Sequence, residues 1–162
     1  MSDEVLRLDN QLCFPLYACA RLVTQAYRAH LDPLGLTYPQ YLVLLVLWER
    51  DGQKVSEIGE QLFLDSGTLT PVLKRLEHNG LIIRHRPSTD ERAVESRLTA
   101  AGRKLKRRAA KVPLSLLCDV GLDLQETARI RDTVRGLIPR LQHAARRQGA
   151  TVEGRPVRKQ KR

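Results

Sequence analysis

Three side chains of this sequence carry a thiol: Cys13, Cys19 and Cys118. The number is odd and no pair has CxxC spacing, which argues against a disulfide framework or a structural zinc site. Four histidines, His30, His78, His85 and His143, are scattered without ligand spacing, so no metal and no other cofactor is expected. A thiol that matters here matters through reactivity. Asp9 or Asn10 can cap a helix that sets Cys13 in its first turn, where unpaired N–H groups and the helix dipole favour a thiolate. Pro15 removes one N–H and suits only a first turn, so the helix can also begin nearer Phe14, with Cys13 just outside it and still facing free amides. Such a thiolate attacks a peroxide and becomes a sulfenic acid, which a second thiol converts to a disulfide. The residue alone leaves a second reading open, a packed cysteine acting as a small apolar side chain. Cys19 lies on another helical face and takes no assigned part.

A second set of residues has the chemistry of polyanion binding. Lys and Arg number 28 against 18 Asp and Glu, a net charge of +10 and a pI near 10.1. The excess is focused: residues 74–111 hold twelve bases and four acids, and residues 146–162 seven bases and one acid. Focused positive charge suits nucleic acid first and an acidic membrane second. No apolar run reaches the ~18 residues of a membrane-spanning helix, so no membrane is expected as partner. Ser66, Gly67, Thr68, Thr70, Lys74 and Arg75 share the outer face of a short helix, small and polar at its start and basic one turn later. A groove-entering helix needs that order: hydroxyls reach base edges, and terminal N–H groups and bases hold phosphates.

The elements that position these residues are mostly helical. Residues 12–31 repeat Leu12, Leu16, Ala20, Val23, Tyr27 and Leu31 on one face. Thr37 with Pro39 opens a second, very apolar helix expected at the centre of the fold. Two short helices follow, over 56–63 and 68–79, joined by Leu64-Asp65-Ser66-Gly67, with Asp65 or Ser66 as cap and Gly80 as left-handed stop. Residues 81–86 and 94–99 read as strands of a hairpin, with Arg86 and Arg92 projecting from the loop and Asp90 able to pair with Arg92. An arginine on such a ribbon can enter a minor groove. Thr99 caps a helix expected to reach about residue 111, and Pro113 is expected to kink or break it; a last helix, capped by Asp123, is expected over 124–146 with an interruption near Gly136 and Pro139.

The expected fold is mainly α with a small β-hairpin wing: a winged helix-turn-helix with a helical dimerisation region from the N- and C-terminal helices. Residues 1–147 form one regulator domain, with a DNA-binding head at about 37–99 and dimerisation helices at about 11–31 and 100–146; residues 148–162 read as a basic disordered tail. The terminal apolar stripes find no partner within so small a head, so a homodimer reading a pseudo-palindrome is expected.

Here the chain resembles the MarR family of winged helix-turn-helix regulators. The carrying residues are the run from Asp65 to Glu77, then Gly80-Leu81-Ile82, Asp90-Glu91-Arg92 and Leu98-Thr99-Ala100-Ala101-Gly102, and the match spans residues 6–146. Leu8-Asp9-Asn10-Gln11-Leu12-Cys13-Phe14 and Leu36-Thr37-Tyr38-Pro39-Gln40-Tyr41 are similar to the organic hydroperoxide resistance regulators within it. That resemblance implies a peroxide sensor at Cys13, hydrogen bonds to its sulfur from Tyr27 and Tyr38, and a resolving thiol at Cys118, 105 positions on, which meets Cys13 of the other subunit. It implies a cytoplasmic repressor, not an enzyme, that binds double-stranded operator DNA through Ser66, Gly67, Thr68, Thr70, Lys74 and Arg75 in the major groove and through Arg86, Asp90 and Arg92 in the wing. An organic hydroperoxide would be the inducer. The alternative within the family is a repressor answering to a small aromatic ligand, with the cysteines incidental. A thiol enzyme is disfavoured by the lack of a βαβ pattern and of CxxC, and an RNA-binding protein by the 4% aromatic content and absence of a stacking motif.

Overall fold

The computed structural model describes residues 3–85 and 94–147. Among them lie α1 (Cys13–Leu31), α2 (Tyr38–Glu49), β1 (Gln53–Lys54), α3 (Val55–Leu62), α4 (Ser66–His78), β2 (Ile82–His85), β3 (Glu95–Leu98), α5 (Ala100–Ala109), α6 (Val112–Val120) and α7 (Leu124–Arg147). Arg86, Asp90 and Arg92, and the basic stretch from residue 148 on, lie outside the described residues.

Helix α2 is the centre of the head. Its Tyr41, Val43, Leu44, Val46 and Leu47 are buried, and α1, α3, α4 and α5 all pack on it. Its start is fixed by Thr37 N–H donating to Gln40 Oε1 at 2.8 Å, which satisfies one orphan amide of the first turn. Ile58 of α3 and Leu69, Leu73 and Leu76 of α4 complete the core from one side, Ile82 and Leu98 of the strands from another.

The sheet has three strands in the order β1-β3-β2, all antiparallel, with Ile82 opposite Leu98 and His85 opposite Glu95. The two-residue β1, Gln53 opposite Ser96, is an addition to the expected hairpin. It is held by Gln53, whose buried Nε2 donates to the Val46 and Arg50 carbonyls at the end of α2.

Three expectations about the terminal helices are corrected. Asp9 and Asn10 do not cap α1: residues Leu8–Asn10 form a 3-10 turn, and Asn10 Nδ2 donates to the Glu4 carbonyl at 2.7 Å. The helix starts at Cys13 itself, so Pro15 is its third residue, where a missing N–H breaks no intrahelical bond. The helix after Thr99 ends at Ala109, and Pro113 sits in the first turn of a separate helix, α6. Helix α7 runs through Gly136 and Pro139 without interruption, because one missing amide among 24 residues removes one bond and the flanking turns hold.

In α7 no residue is buried within one chain, and Leu124, Ile130, Val134 and Leu141 are exposed, as are Leu12, Phe14, Tyr17, Leu22 and Val23 on and beside α1. Apolar surface on this scale at both ends of the chain is what a second subunit covers.

Candidate functional site

The helix-turn-helix is built by α3 and α4. Between them Phe63 takes a left-handed backbone, φ 55°, the one non-glycine residue to do so among those described. The turn closes through Leu64 N–H to the Gly59 carbonyl at 2.9 Å. Gly59 is buried, and a Cβ there would lie 2.7 Å from the Leu64 carbonyl oxygen, so the tightness of the turn requires glycine. Asp65 caps α4: Oδ1 accepts from Thr68 N–H at 2.9 Å and Oδ2 from Thr68 Oγ1 at 2.8 Å, and these bonds hold its carboxyl below the usual aspartate range.

Helix α4 thus buries Leu69, Leu73 and Leu76 while Ser66, Gly67, Thr68, Lys74 and Arg75 stay exposed and Thr70 half-buried. Two hydroxyls are already engaged. Thr68 donates to Asp65, and Thr70 Oγ1 donates to the Ser66 carbonyl at 2.6 Å. Toward a base edge both therefore offer acceptor lone pairs rather than a proton.

The wing base is fastened by residues that pattern reading missed. Arg84 donates to Glu77 through its backbone N–H (3.1 Å to Oε1) and its guanidinium (Nε 2.9 Å and Nη2 2.5 Å to Oε2), locking β2 to the end of α4 and holding the Glu77 carboxyl low. Asp51 Oδ1 accepts from Leu98 N–H at 2.8 Å, and its Oδ2 accepts from Arg103 Nη1 at 3.0 Å. Asp51 thereby joins the end of α2, β3 and α5. Both clamps act across 7 to 52 positions, out of reach of any local period. Thr99 caps α5, its Oγ1 accepting from Gly102 N–H at 3.0 Å while donating to the Gly80 carbonyl at 2.7 Å.

The thiols lie elsewhere. Cys13 is the first residue of α1, exposed, with no side chain capping the helix beside it. Cys19 and Cys118 are exposed as well. Tyr27 and Tyr38 face each other with ring centroids 4.8 Å apart, and Tyr41 stands 5.8 Å from Tyr27. Burial, and then the neighbouring Tyr38 and Tyr41, push the Tyr27 phenol up to about 12; burial raises Tyr38 in the same direction. Both rings therefore keep their protons and remain donors throughout the physiological range.

Cys13 and Tyr27 stand at opposite ends of one helix. Fourteen residues at the helical rise separate them by about 21 Å along the axis, so a single chain does not bring this thiol to this phenol. Cys118 lies on α6, which packs against α1, and the neighbouring Asp119 Oδ2 accepts a hydrogen bond from His30 Nε2 near the end of α1 at 2.7 Å. Among the described residues no three His, Cys, Asp or Glu cluster as a metal site, and no helix is long and apolar enough to cross a membrane.

Residues 25–109 match the family model of the transcriptional regulator SarA/Rot. The chain is 54% identical over 112 residues to the organic hydroperoxide resistance transcriptional regulator of Bacillus subtilis, covering 69% of this chain and 76% of that protein. Among solved structures it resembles reduced AbfR bound to DNA, at 38% identity and TM-score 0.76, covering 89% of this chain and 99% of the other. It also resembles disulfide-formed AbfR, at 40% identity and TM-score 0.60, over 84% of this chain and 96% of the other.

Proposed function

We propose, for a chain that belongs to the MarR family of winged helix-turn-helix regulators and to its organic hydroperoxide resistance branch, that oxidation of Cys13 by an organic hydroperoxide releases it from operator DNA. The chain is a DNA-binding, homodimeric, redox-sensing transcriptional regulator. Residues 37–99 act as its reading head, the helices before and after as its dimerisation region, and the chain works in the reducing cytoplasm, where a free thiol persists.

One observation carries the sensor reading: Cys13 and the protonated Tyr27–Tyr38 pair sit about 21 Å apart along a helix whose flank is exposed and apolar. Pairing α1 with its symmetry mate in antiparallel sense brings the thiol of one subunit to the phenols of the other. The phenols then donate to the thiolate and stabilise it. Leu12 and Phe14 flank Cys13 and, at the edge of the surface the second subunit covers, give an alkyl group apolar side chains to rest against. The thiolate attacks the terminal peroxide oxygen; an S–O bond forms, the O–O bond breaks, and the alkoxide takes a proton and leaves as alcohol. The thiolate of Cys118 from the other subunit attacks the resulting sulfenic sulfur, an S–S bond forms, and hydroxide leaves as water. Losing the phenol contacts and gaining the bridge re-angles the two heads, so the half-site spacing no longer fits. A mismatch of about 1.4 kcal/mol weakens binding tenfold.

On DNA, Ser66, Gly67, Thr68 and Thr70 meet the major groove and Lys74 and Arg75 hold phosphates, with Arg86, Asp90 and Arg92 assigned to the wing loop. Lys74→Ala and Arg75→Ala are each expected to weaken binding to all sequences alike and to lower the slope of log affinity against log salt by about one. An unchanged slope in fluorescence anisotropy at several salt concentrations would remove that residue from the phosphate set.

The cross-subunit pairing is tested by a heterodimer of a Cys13→Ser subunit with a Cys118→Ser subunit. One complete site survives if the bridge runs between subunits. A covalent dimer on a non-reducing gel after treatment with cumene hydroperoxide is the expected result; its absence, with each thiol intact in its own subunit, contradicts the pairing.

A small-ligand reading has one feature in its favour. An open hollow of about 430 Å³ lies between α2 and α5, lined by Tyr41, Leu45, Trp48 and Lys106. It calls for thermal stabilisation by phenolic acids and indifference to peroxide.

A further inference from the structure

The half of α6 that carries Cys118 is poorly anchored by packing. Its buried residues, Val112 and Leu116, are the first and fifth of nine, whereas Cys118, Asp119 and Val120 are exposed within one chain and the helix stops at Gly121 in a left-handed conformation. A helix of nine residues is marginal on its own; its end is capped by Gly121 N–H to the Cys118 carbonyl at 3.2 Å and Leu122 N–H to the Leu117 carbonyl at 3.1 Å, but holding that end against α1 takes a tertiary tie. The tie is polar. Asp119 Oδ2 lies 2.7 Å from His30 Nε2, and the His30 side chain is only 19% exposed. His30 is three positions after Tyr27, so the two share a face of α1, about 4.5 Å apart along its axis.

We propose that His30 and Asp119 form a latch that positions Cys118 for the second, disulfide-forming step; this rests on the reading of Cys13 as sensor and Cys118 as its resolving thiol. A Cys13 sulfur held at the partner's Tyr27 sits about one helical turn from His30, and the latch keeps Cys118 beside that place. A disulfide forms only when the two Cα atoms come within about 4.4–6.8 Å, so confining the end of α6 narrows the search. His30 and Asp119 touch neither peroxide nor sulfur in this scheme. They are positioning residues. The step they serve is attack of the Cys118 thiolate on the Cys13 sulfenic acid, with the S–S bond formed, the S–O bond broken and water released.

The test is rapid-quench kinetics on the full-length dimer with cumene hydroperoxide, following sulfenic acid by a trapping reagent and the bridge by non-reducing gel and mass analysis. His30→Ala is expected to form sulfenic acid at the wild-type rate and the disulfide about tenfold more slowly, the effect of one lost charge-assisted hydrogen bond. The slow variant accumulates sulfinic acid at Cys13 under excess peroxide. Asp119→Ala behaves alike, the double variant is no slower than either single one, and His30→Gln, whose amide donates with similar reach, restores most of the rate. Disulfide formation at the wild-type rate in His30→Ala, or effects that multiply in the double variant, overturns the latch. A wild-type protein that forms sulfenic acid but no Cys13–Cys118 bridge overturns the resolving reading instead, and the latch with it.

Discussion

Replacing Cys13 with serine leaves operator binding intact and abolishes the response to organic hydroperoxide. The substitution exchanges sulfur for oxygen on an exposed first residue of α1, so it removes no core contact and leaves no cavity. The operator contacts proposed for α4 lie on another element of the fold. Affinity in the absence of oxidant therefore stays within about twofold of wild type, a difference under about 0.5 kcal/mol. A serine hydroxyl neither ionises near neutrality nor climbs the sulfur oxidation ladder, so the trigger is gone. Where peroxide weakens the wild-type complex tenfold or more, the serine variant holds its DNA. Fluorescence anisotropy with labelled operator, before and after an excess of cumene hydroperoxide, measures both quantities. A serine variant that still lets go removes Cys13 from the mechanism.

The largest expected effect on stability comes from Gly102→Ala. Gly102 is buried in the first turn of α5, where three elements meet. Its N–H donates to Thr99 Oγ1 at 3.0 Å, and its carbonyl accepts from Trp48 Nε1 of α2, also at 3.0 Å. The Leu81 carbonyl, at the entry to β2, comes so close that a Cβ on residue 102 would stand 2.1 Å from its oxygen, 3.1 Å from its carbon and 3.2 Å from Leu98 Cδ2. The atoms in the way are backbone, which cannot rotate aside. That carbonyl already accepts from Thr99 N–H, so displacing it breaks the cap of α5 along with the start of the wing. Overpacking of this kind costs about 2–3 kcal/mol, or a melting temperature lower by about 6–10 °C for a chain of this size. Operator affinity falls with it, because the wing hangs from this junction. Melting within a degree or two of wild type would mean that the junction yields more easily than its geometry implies.

Much of the head was legible because its signals are local. Asp65 three residues before Thr68, Thr99 three before Gly102, and Gly80 after α4 are caps and stops whose chemistry acts within one turn. The apolar period of α4 marked Leu69, Leu73 and Leu76 as buried, and the continuous apolar run of α2 marked it as central. The hairpin followed from two β-rich runs around a polar loop. What escaped depends on partners distant in sequence. β1 has two residues, too few for any period, and exists because Gln53 finds carbonyls at the end of α2. The Arg84–Glu77 and Asp51–Arg103 clamps join residues of different elements, which no local period pairs.

Local signals also misled. Asp9 and Asn10 are good capping residues, but the chain ahead of α1 folds back on itself, and Asn10 spends its amide on the Glu4 carbonyl. Gly136 and Pro139 read as breakers, yet α7 continues through them, since helix ends depend on the surroundings as much as on intrinsic preference. The sequence placed the Thr68 and Thr70 hydroxyls on the outer face but not their protons, which go to Asp65 and the Ser66 carbonyl in their own helix turn. The candidate thiol site was the least legible part. Its members, Cys13, Tyr27, Tyr38 and Cys118, are spread over three helices, and the roughly 21 Å of helix between the first two means that no pattern within one chain unites them.

The most direct test of the account is a titration of the reduced wild-type dimer on operator DNA with measured equivalents of cumene hydroperoxide, reading DNA occupancy and thiol mass in the same samples. Occupancy should fall in step with oxidation of Cys13, complete at about one equivalent per subunit by the stoichiometry of sulfenic acid formation, with the Cys13–Cys118 bridge as the end product. Full occupancy retained with Cys13 oxidised, or release while Cys13 is still a free thiol, would contradict it.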